Sequence, residues 1–557
     1  MRVTSLLVAL ATACVMTGCA QLPHSGDPQA FDPSAPNADP IDLEAGGPVA
    51  GATPEELVRD FLLACAAGPS DDYATARLFL TQDSAQEWDP LERATIYPTS
   101  STPNIKAGDE SDAGVDVSLT VPAIGSIDSA GVLTLAPSSQ VESTLHLVRV
   151  NDQWRIRAPE NGVLVSQSVF MNSHQRIDLQ FLSTTGDALI ADPRWFSRRR
   201  LATHIIEGLI AGPRPSLAPA IRTIIPPGTS LSPEGVEITE DTAKVQLEAT
   251  TPIDPVDKQR LNWQIMRTLT GARVSTEVQV TLNEEQVNAT STPADPQLSL
   301  DAPAVLTDTG ISALSGTVFS PIDGPASGAQ NIHSMSVGPR NHAPLAWMEG
   351  GSLFISGQIG APPRRIDGLQ PNLQTSVDRF GWVWTAGENA RVSAWHEDGR
   401  DSPPGLPQDA HTGIISLRIS PDGSRALLLR ATNGVTSAWM GTVSRRNDGS
   451  PIAIDGLERV GGLEGHIVDA SWAGSTSLVL IHDPDGNNGG ELSLVTFGIG
   501  EFLTEISAPP TSVAVTGGAN PSTVLVRLKD GSIQSRSGSL WQPLTLPAPL
   551  REIRFPG

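Results

Sequence analysis

The stretch Ile419-Ser420-Pro421-Asp422-Gly423-Ser424-Arg425-Ala426-Leu427-Leu428-Leu429 decides the reading of the fold. Apolar residues flank a polar centre, and Asp422-Gly423 suits a type I′ hairpin turn, whose two central residues both need positive φ. The stretch reads as strand, turn, strand. Around it, similar segments recur: Ser334 to Ile355, Leu373 to Trp395, Ile414 to Val443, Ile467 to Phe497 and Thr511 to Trp541. Each holds an apolar or aromatic strand, among them PLAWM (Pro344 to Met348), GWVWT (Gly381 to Thr385), SAWMG (Ser437 to Gly441) and ASWAG (Ala470 to Gly474). The segments start about 40 to 50 residues apart, the period of β-propeller blades. Residues 305–557 are therefore expected to form an all-β propeller. Five repeats are readable. A sixth blade is expected to be shared between a strand near Val305 to Phe319 and the strand Arg551 to Phe555, which hides both edges. The aromatic residues read as blade core, because burial at period two explains them.

Upstream, residues 170–290 have another rhythm. A strand at Ile177 to Leu182 precedes a turn at Thr185-Gly186-Asp187 and a short strand at Ala188 to Ala191. A helix is predicted from Phe196 to Ile210, with Leu201, Ile205, Ile206 and Leu209 inward and Gly212-Pro213 at its end. Paired strands follow at Val236 to Thr239 and Ala243 to Leu247. A second helix carries Leu261, Ile265, Met266 and Leu269 and stops at Gly271; a strand from Val274 to Leu282 closes the unit. The pattern predicts an α/β sandwich with two helices on one sheet.

Residues 53–165 begin with Thr53-Pro54-Glu55-Glu56. Thr53 can cap a helix, Pro54 suits its first position, and Glu56 completes a capping box. A second helix is expected over Asp72 to Leu80. From Val115 the period changes to two, and strands run to Trp154-Arg155-Ile156. Helices followed by a long-stranded antiparallel sheet give an α+β domain, consistent with a cone of the nuclear-transport-factor-2 (NTF2-like) type.

Residues 19–52 are rich in Pro, Gly, Ser, Asp and Ala and read as a disordered tether with an r.m.s. span of roughly 30 Å. Before it, residues 1–18 carry Arg2, an uncharged apolar run to Val15, and small residues at Thr17 and Gly18: an export signal, too short to span a bilayer as a stable helix. Cys14 lies within it and is discarded with it.

The chain of 557 residues carries 61 Asp plus Glu against 37 Lys plus Arg, a net charge of −24. This argues against nucleic acid and anionic lipid surfaces as natural partners. Abundant Gly and Pro with few charges reads as a turn-rich β protein outside the cell. Beyond the signal the cysteines are Cys19 and Cys65. Cys65 falls on the apolar side of the first helix and reads as a small buried hydrophobe.

Two sets of motifs carry resemblances. Met16-Thr17-Gly18-Cys19 resembles the bacterial lipobox, with Met16 in place of the usual Leu. The resemblance implies cleavage between Gly18 and Cys19, acylation of the Cys19 thiol, and a membrane anchor without a transmembrane helix. EGLIAGP (Glu207 to Pro213), IIPPGTSL (Ile224 to Leu231) and QIMRTLTG (Gln264 to Gly271), spaced around a strand pair, resemble the GerMN domain, which has no established catalytic residues to carry over. Lipobox, tether, α+β domain, GerMN domain and propeller, in that order, resemble the LpqB family of actinobacterial lipoproteins. That resemblance implies an accessory protein on the outer face of the cytoplasmic membrane. Its implied partner is the extracellular part of the sensor histidine kinase MtrB, in the MtrA–MtrB two-component system that bears on cell-wall metabolism and division.

Motifs for chemistry are missing. His396-Glu397 lacks the second His of a zincin, and neither a nucleophile elbow nor a Walker loop occurs. Asp483 to Asn487 fails the EF-hand pattern, with Asn488 at the glycine position and Leu494 at the bidentate one. No catalytic, cofactor or metal residue is assigned. His342, His396 and His411 are expected in solvated loops. Arg198-Arg199-Arg200 is a basic patch in an acidic chain and a candidate site for an acidic partner. The competing reading is a glycan-binding or glycan-cleaving propeller funnel. Carboxylates converging on the propeller axis would support it.

Overall fold

A computed structural model describes residues 45–287, 295–322, 331–356, 362–387, 391–410, 412–486 and 491–557. Gly18, Cys19, His411 and most of the expected tether lie outside these residues. The described residues belong to one compact unit.

Helix α1 (Pro54–Asp71) opens the N-terminal domain, and its capping box is formed: the Glu56 amide donates to Thr53 and the Thr53 amide to Glu56. The last part of the expected tether packs against this domain. Ala45 lies on its core, and the Gly51 amide donates to Gln153 Oε1 at 3.0 Å. The expected second helix over Asp72 to Leu80 is cut to α2 (Ala74–Arg77), because Asp72 and Tyr73 adopt positive φ ahead of it, and a further short helix α3 (Gln82–Glu87) follows, capped by Thr81. The strands are β1 (Arg93–Tyr97), β2 (Asn104–Ala107), β3 (Val115–Asp128), β4 (Leu133–Val150), β5 (Gln153–Arg157) and β6 (Val163–Ser166). They pair in the order β5-β4-β3-β1-β6, with β2 on β3. The sheet does not end at Ile156: β6 pairs in parallel with β1. The long strands alternate as their sequence demands, with Val115, Val117 and Leu119 packed under Phe61 and Cys65 of α1. Burial pushes the Cys65 thiol well above its ordinary pKa.

A short helix α4 (Gln167–Ser173) leads into the central domain. Two sheets stand where one was expected. β7 (His174–Ser183), β8 (Leu189–Ser197) and β9 (Ile221–Arg222) form the first. The second holds β10 (Ser230–Leu231), β11 (Glu237–Thr239), β12 (Thr242–Glu248), β13 (Glu277–Leu282) and β14 (Glu285–Gln286), with β12 and β13 parallel. Helices α5 (Leu201–Ala211) and α6 (Pro255–Gly271) share one core with both sheets. The motif residues have structural work. Gln264 Oε1 accepts the Ile224 amide at 3.1 Å, and Thr268 Oγ1 accepts the Gln180 amide at 3.1 Å, so α6 is tied to a loop and to β7. Gly208 lets α5 approach β8: a Cβ there would lie 2.8 Å from Phe196. Helix α6 ends at Gly271, as expected, and the left-handed residue that turns the chain away is Arg273, with φ +58°.

Six four-stranded sheets follow among the described residues. In five of them the strands run consecutively from the inside out. The sixth joins Ala304–Thr307 to Glu552–Arg554, so the chain's last strand is the inner strand of the blade that its residues 304–321 build. The Asp422-Gly423 turn is not type I′. Pro421 and Asp422 keep negative φ, the Gly423 amide donates to Ser420 C=O at 2.8 Å, and only Gly423 is left-handed at φ +78°. Pro at the first central position of this turn fixes φ near −65° and forbids the mirror-image turn. His396 is not solvated either: its ring packs on Trp382 at 5.1 Å between centroids, with the side chain 13% exposed.

Candidate functional site

The propeller axis and its cover are the places where the fold brings polar groups together. Each blade's inner strand approaches the axis, and hydroxyl residues recur there: Ser334, Ser336, Thr375, Ser376, Ser471 and Thr516, all buried. Their hydroxyls stitch one blade to the next. The Thr375 amide donates to Ser334 Oγ at 3.1 Å, the Ile419 amide to Ser376 Oγ at 3.0 Å, and the Gly517 amide to Ser471 Oγ at 3.3 Å.

A charged network lies among these hydroxyls. Arg418 pairs with Asp469 at 3.0 Å, and Arg554 bridges Asp469 at 3.5 Å and Glu552 at 2.9 Å. Asp469 Oδ2 also accepts the Val515 amide at 2.9 Å, and Glu552 Oε2 the Met335 amide at 3.2 Å. Burial pulls Arg418 down to about 10, so it stays charged at neutral pH. Burial opposes the charge on Arg554 as well, but Glu552 and Asp469 outweigh it and hold that guanidinium above its ordinary value. Both carboxylates are thus spent on arginines and backbone amides. Phe555, Pro556 and Gly557 turn into the same space; the Phe555 amide donates to Thr516 Oγ1 at 2.9 Å and the Gly557 amide to Val337 C=O at 3.1 Å. What is left is a cavity of about 20 Å³, room for a water but not for a sugar.

The central domain covers one propeller face. The loops that join the first to the second and the third to the fourth strand of a blade lie at the same end of the sheet, and these are the loops it meets. Arg379 binds Asp187 through two hydrogen bonds of 2.7 and 2.9 Å. Arg425 donates to Ala191 C=O at 2.6 Å, Trp195 Nε1 to Gly500 C=O at 2.6 Å, and Thr442 to Ser216 C=O at 2.7 Å. Phe502 packs edge-on against Phe170 at 6.1 Å, and Leu135 of β4 joins the core of the blade containing Trp472. All three domains therefore touch.

The basic triplet lies ahead of α5 rather than on it. Trp195 to Ser197 stay in β8, paired with β7, and Arg200 adopts a left-handed φ of +52° that starts the helix one residue later. All three arginines are exposed; Arg198 donates to Gln175 Oε1 at 2.9 Å. The junction residues Asp187, Arg379 and Arg425 were missed by sequence reasoning, because nothing local marks partners 192 and 234 positions apart. Among the described residues no group of three or more His, Cys, Asp or Glu is placed to hold a metal ion, and no helix is long and apolar enough to cross a membrane.

Comparison with known proteins agrees with this order of domains. Residues 47–171 match the family model of the LpqB lipoprotein N-terminal domain, 178–288 that of sporulation and spore germination, and 310–548 that of the LpqB β-propeller domain. Lipoprotein LpqB of Mycobacterium tuberculosis (strain CDC 1551 / Oshkosh) is 24% identical over 586 residues, spanning 96% of this chain and 97% of that protein. Lipoprotein LpqB of Rhodococcus opacus (strain B4) is 26% identical over 461 residues, spanning 76% of each chain. With the two LpqB-specific domains flanking a GerMN-type domain and relatives matched over nearly their whole length, the chain belongs to the LpqB family of lipoproteins.

Proposed function

We propose that this is a lipid-anchored accessory protein, held by Cys19 on the outer face of the cytoplasmic membrane, that binds the extracellular domain of an MtrB-like sensor histidine kinase and shifts its signalling equilibrium. Family membership supports the anchor and the setting. The observation that carries the binding reading is the spent axis: its carboxylates are held by arginines and its space is filled by Phe555 to Gly557. A hydrolase needs one carboxyl free to give a proton and a second free to act on the sugar or on a water. A body of three touching domains instead offers a fixed surface, and a binder alters a two-state kinase only by favouring one state. The propeller face away from the central domain is the surface we assign to the partner. Its loops Asn433-Gly434 and Lys529-Asp530 are exposed. The Arg198 to Arg200 patch is a second contact for acidic groups.

The test is a titration of residues 45–557 against the purified extracellular kinase domain at two salt concentrations. Saturable binding is expected, with the salt dependence reporting the charged patch. Absence of binding up to about 100 μM, weaker than about −5.5 kcal/mol, would overturn the reading and favour a wall-glycan ligand.

A further inference from the structure

We propose that the N-terminal domain holds a binding site for a small amphipathic zwitterion, of which an apolar α-amino acid is the simplest, in the cavity between α1 and the sheet. The cavity measures about 140 Å³. An apolar cavity of about 150 Å³ accommodates benzene, so this one takes a single ring or a short branched chain. Phe61, Leu62 and Cys65 line it from the helix, and Leu119 and Leu145 from the sheet. Two hydroxyls, Thr95 and Ser143, interrupt this apolar lining, and neither side chain hydrogen-bonds the protein among the described residues.

The rim is built rather than loose. Trp88 Nε1 donates to Glu160 C=O at 3.2 Å, the Gly162 amide to Asp89 C=O at 2.8 Å, and Asn161 Nδ2 to Glu92 at 2.6 Å. Gly162 has φ +96°, and a Cβ there would lie 2.4 Å from the Arg93 carbonyl, so glycine is required for the loop to close on β1. The parallel register, Ala94 opposite Val163, then sets Arg93 and Glu160 on one mouth. Both are exposed, and neither has an ion-pair partner among the described residues. A ligand with one charge would satisfy one of them and be repelled by the other. A zwitterion uses both, its carboxylate accepting from Arg93 and its ammonium donating to Glu160. It also carries no net charge toward a chain of −24, which would repel a free anion.

The test is calorimetric titration of the whole protein with L-leucine, hexanoate and hexylamine. Leucine is expected to bind saturably and at least about fivefold more tightly than either singly charged probe. Arg93→Gln and Glu160→Gln sit on exposed positions and leave the fold intact; each is expected to weaken leucine about fivefold or more. Val141→Trp fills the cavity and is expected to abolish binding. The proposal falls if leucine does not saturate by about 10 mM, a binding energy under about 3 kcal/mol. It falls equally if hexanoate or hexylamine matches leucine, or if Arg93→Gln and Glu160→Gln bind as the parent does.

Discussion

Asp187 of the central domain and Arg379 of the propeller, 192 positions apart, meet through two hydrogen bonds of 2.7 and 2.9 Å. The arginine is 5% exposed, lies 3.9 Å over the Phe380 ring and also donates to Asp422 C=O; the aspartate is 45% exposed. Burial opposes ionisation of Asp187, but Arg379 outweighs it and holds the carboxyl below its ordinary value. The two ends of this bridge should therefore differ. Arg379→Ala removes a buried fork with three kinds of contact and is expected to cost about 2 to 3 kcal/mol in urea denaturation. Asp187→Asn leaves a half-solvated site and is expected to cost about 1 kcal/mol or less. Equal losses would show that the junction does not depend on the guanidinium.

His174 gives the junction between the first two domains a pH dependence. Its ring stacks on Phe170 at 4.7 Å. Burial lowers its pKa from 6.5 to about 4, with the nearby charges of His204 and Arg198 adding to the effect. The unfolded chain binds this proton near 6.5 while the folded chain refuses it until about 4. Stability should accordingly fall as pH drops through that window, because the unfolded state holds more protons there. Urea midpoints for the parent and His174→Phe, measured from pH 7 to pH 4, should diverge, with the variant flatter. Parallel curves would assign the window to other groups.

The parts legible in the sequence are those with local causes. Thr53, Pro54 and Glu56 announce α1 because a capping box needs only four neighbouring residues. Blade strands show because inward residues such as Trp384 and Leu428 alternate with their neighbours' contacts inside a short period. Strands β1 and β6 escaped because each is five residues or fewer and their pairing is parallel, so no hairpin signal links them. The Asp422-Gly423 dipeptide alone suits a type I′ turn, and it is Pro421 before it, with φ fixed negative, that selects the other turn. The central domain's second sheet was hidden because Ile221-Arg222 pairs back to Ser183 and Leu182 instead of onward to β10. The contacts of Asp469 with Arg418 and Arg554 join residues from different blades, and no spacing encodes them.

Asp469 should be the most sensitive charge of that axis. It faces both Arg418 and Arg554 and accepts the Val515 amide. Asp469→Ala leaves two buried guanidinium groups short of a counter-charge, and is expected to cost about 3 to 5 kcal/mol. Asp469→Asn keeps an acceptor for the amide and should cost less. Chemical denaturation of the two variants checks the order; a loss under about 1 kcal/mol for the alanine variant would mean that solvent reaches the network.

The anchor reading makes its own prediction. Cys19→Ser removes the thiol that acylation requires, and the protein should move from the membrane fraction to the medium or wall fraction. The globular unit, which begins beyond it, should keep its melting temperature. Continued membrane retention of the serine variant would show a second means of attachment.

Ile553 tests whether the closing blade supports the whole body. It is 3% exposed, pairs with Val305 across the joint between the two ends of the propeller, and packs with Leu314 and Leu525. Ile553→Val deletes one methyl and should cost about 1 kcal/mol. Ile553→Asp places a carboxylate in that core and should open the blade, at a cost of several kcal/mol. Because the central domain is bound to loops of neighbouring blades through Arg379, Arg425 and Gly500, the loss should not stay local. Far-ultraviolet and tryptophan-fluorescence transitions of Ile553→Asp should shift together in urea. A propeller transition that moves alone, with α1 and the N-terminal sheet melting at the parent's midpoint, would show that the domains touch without sharing stability.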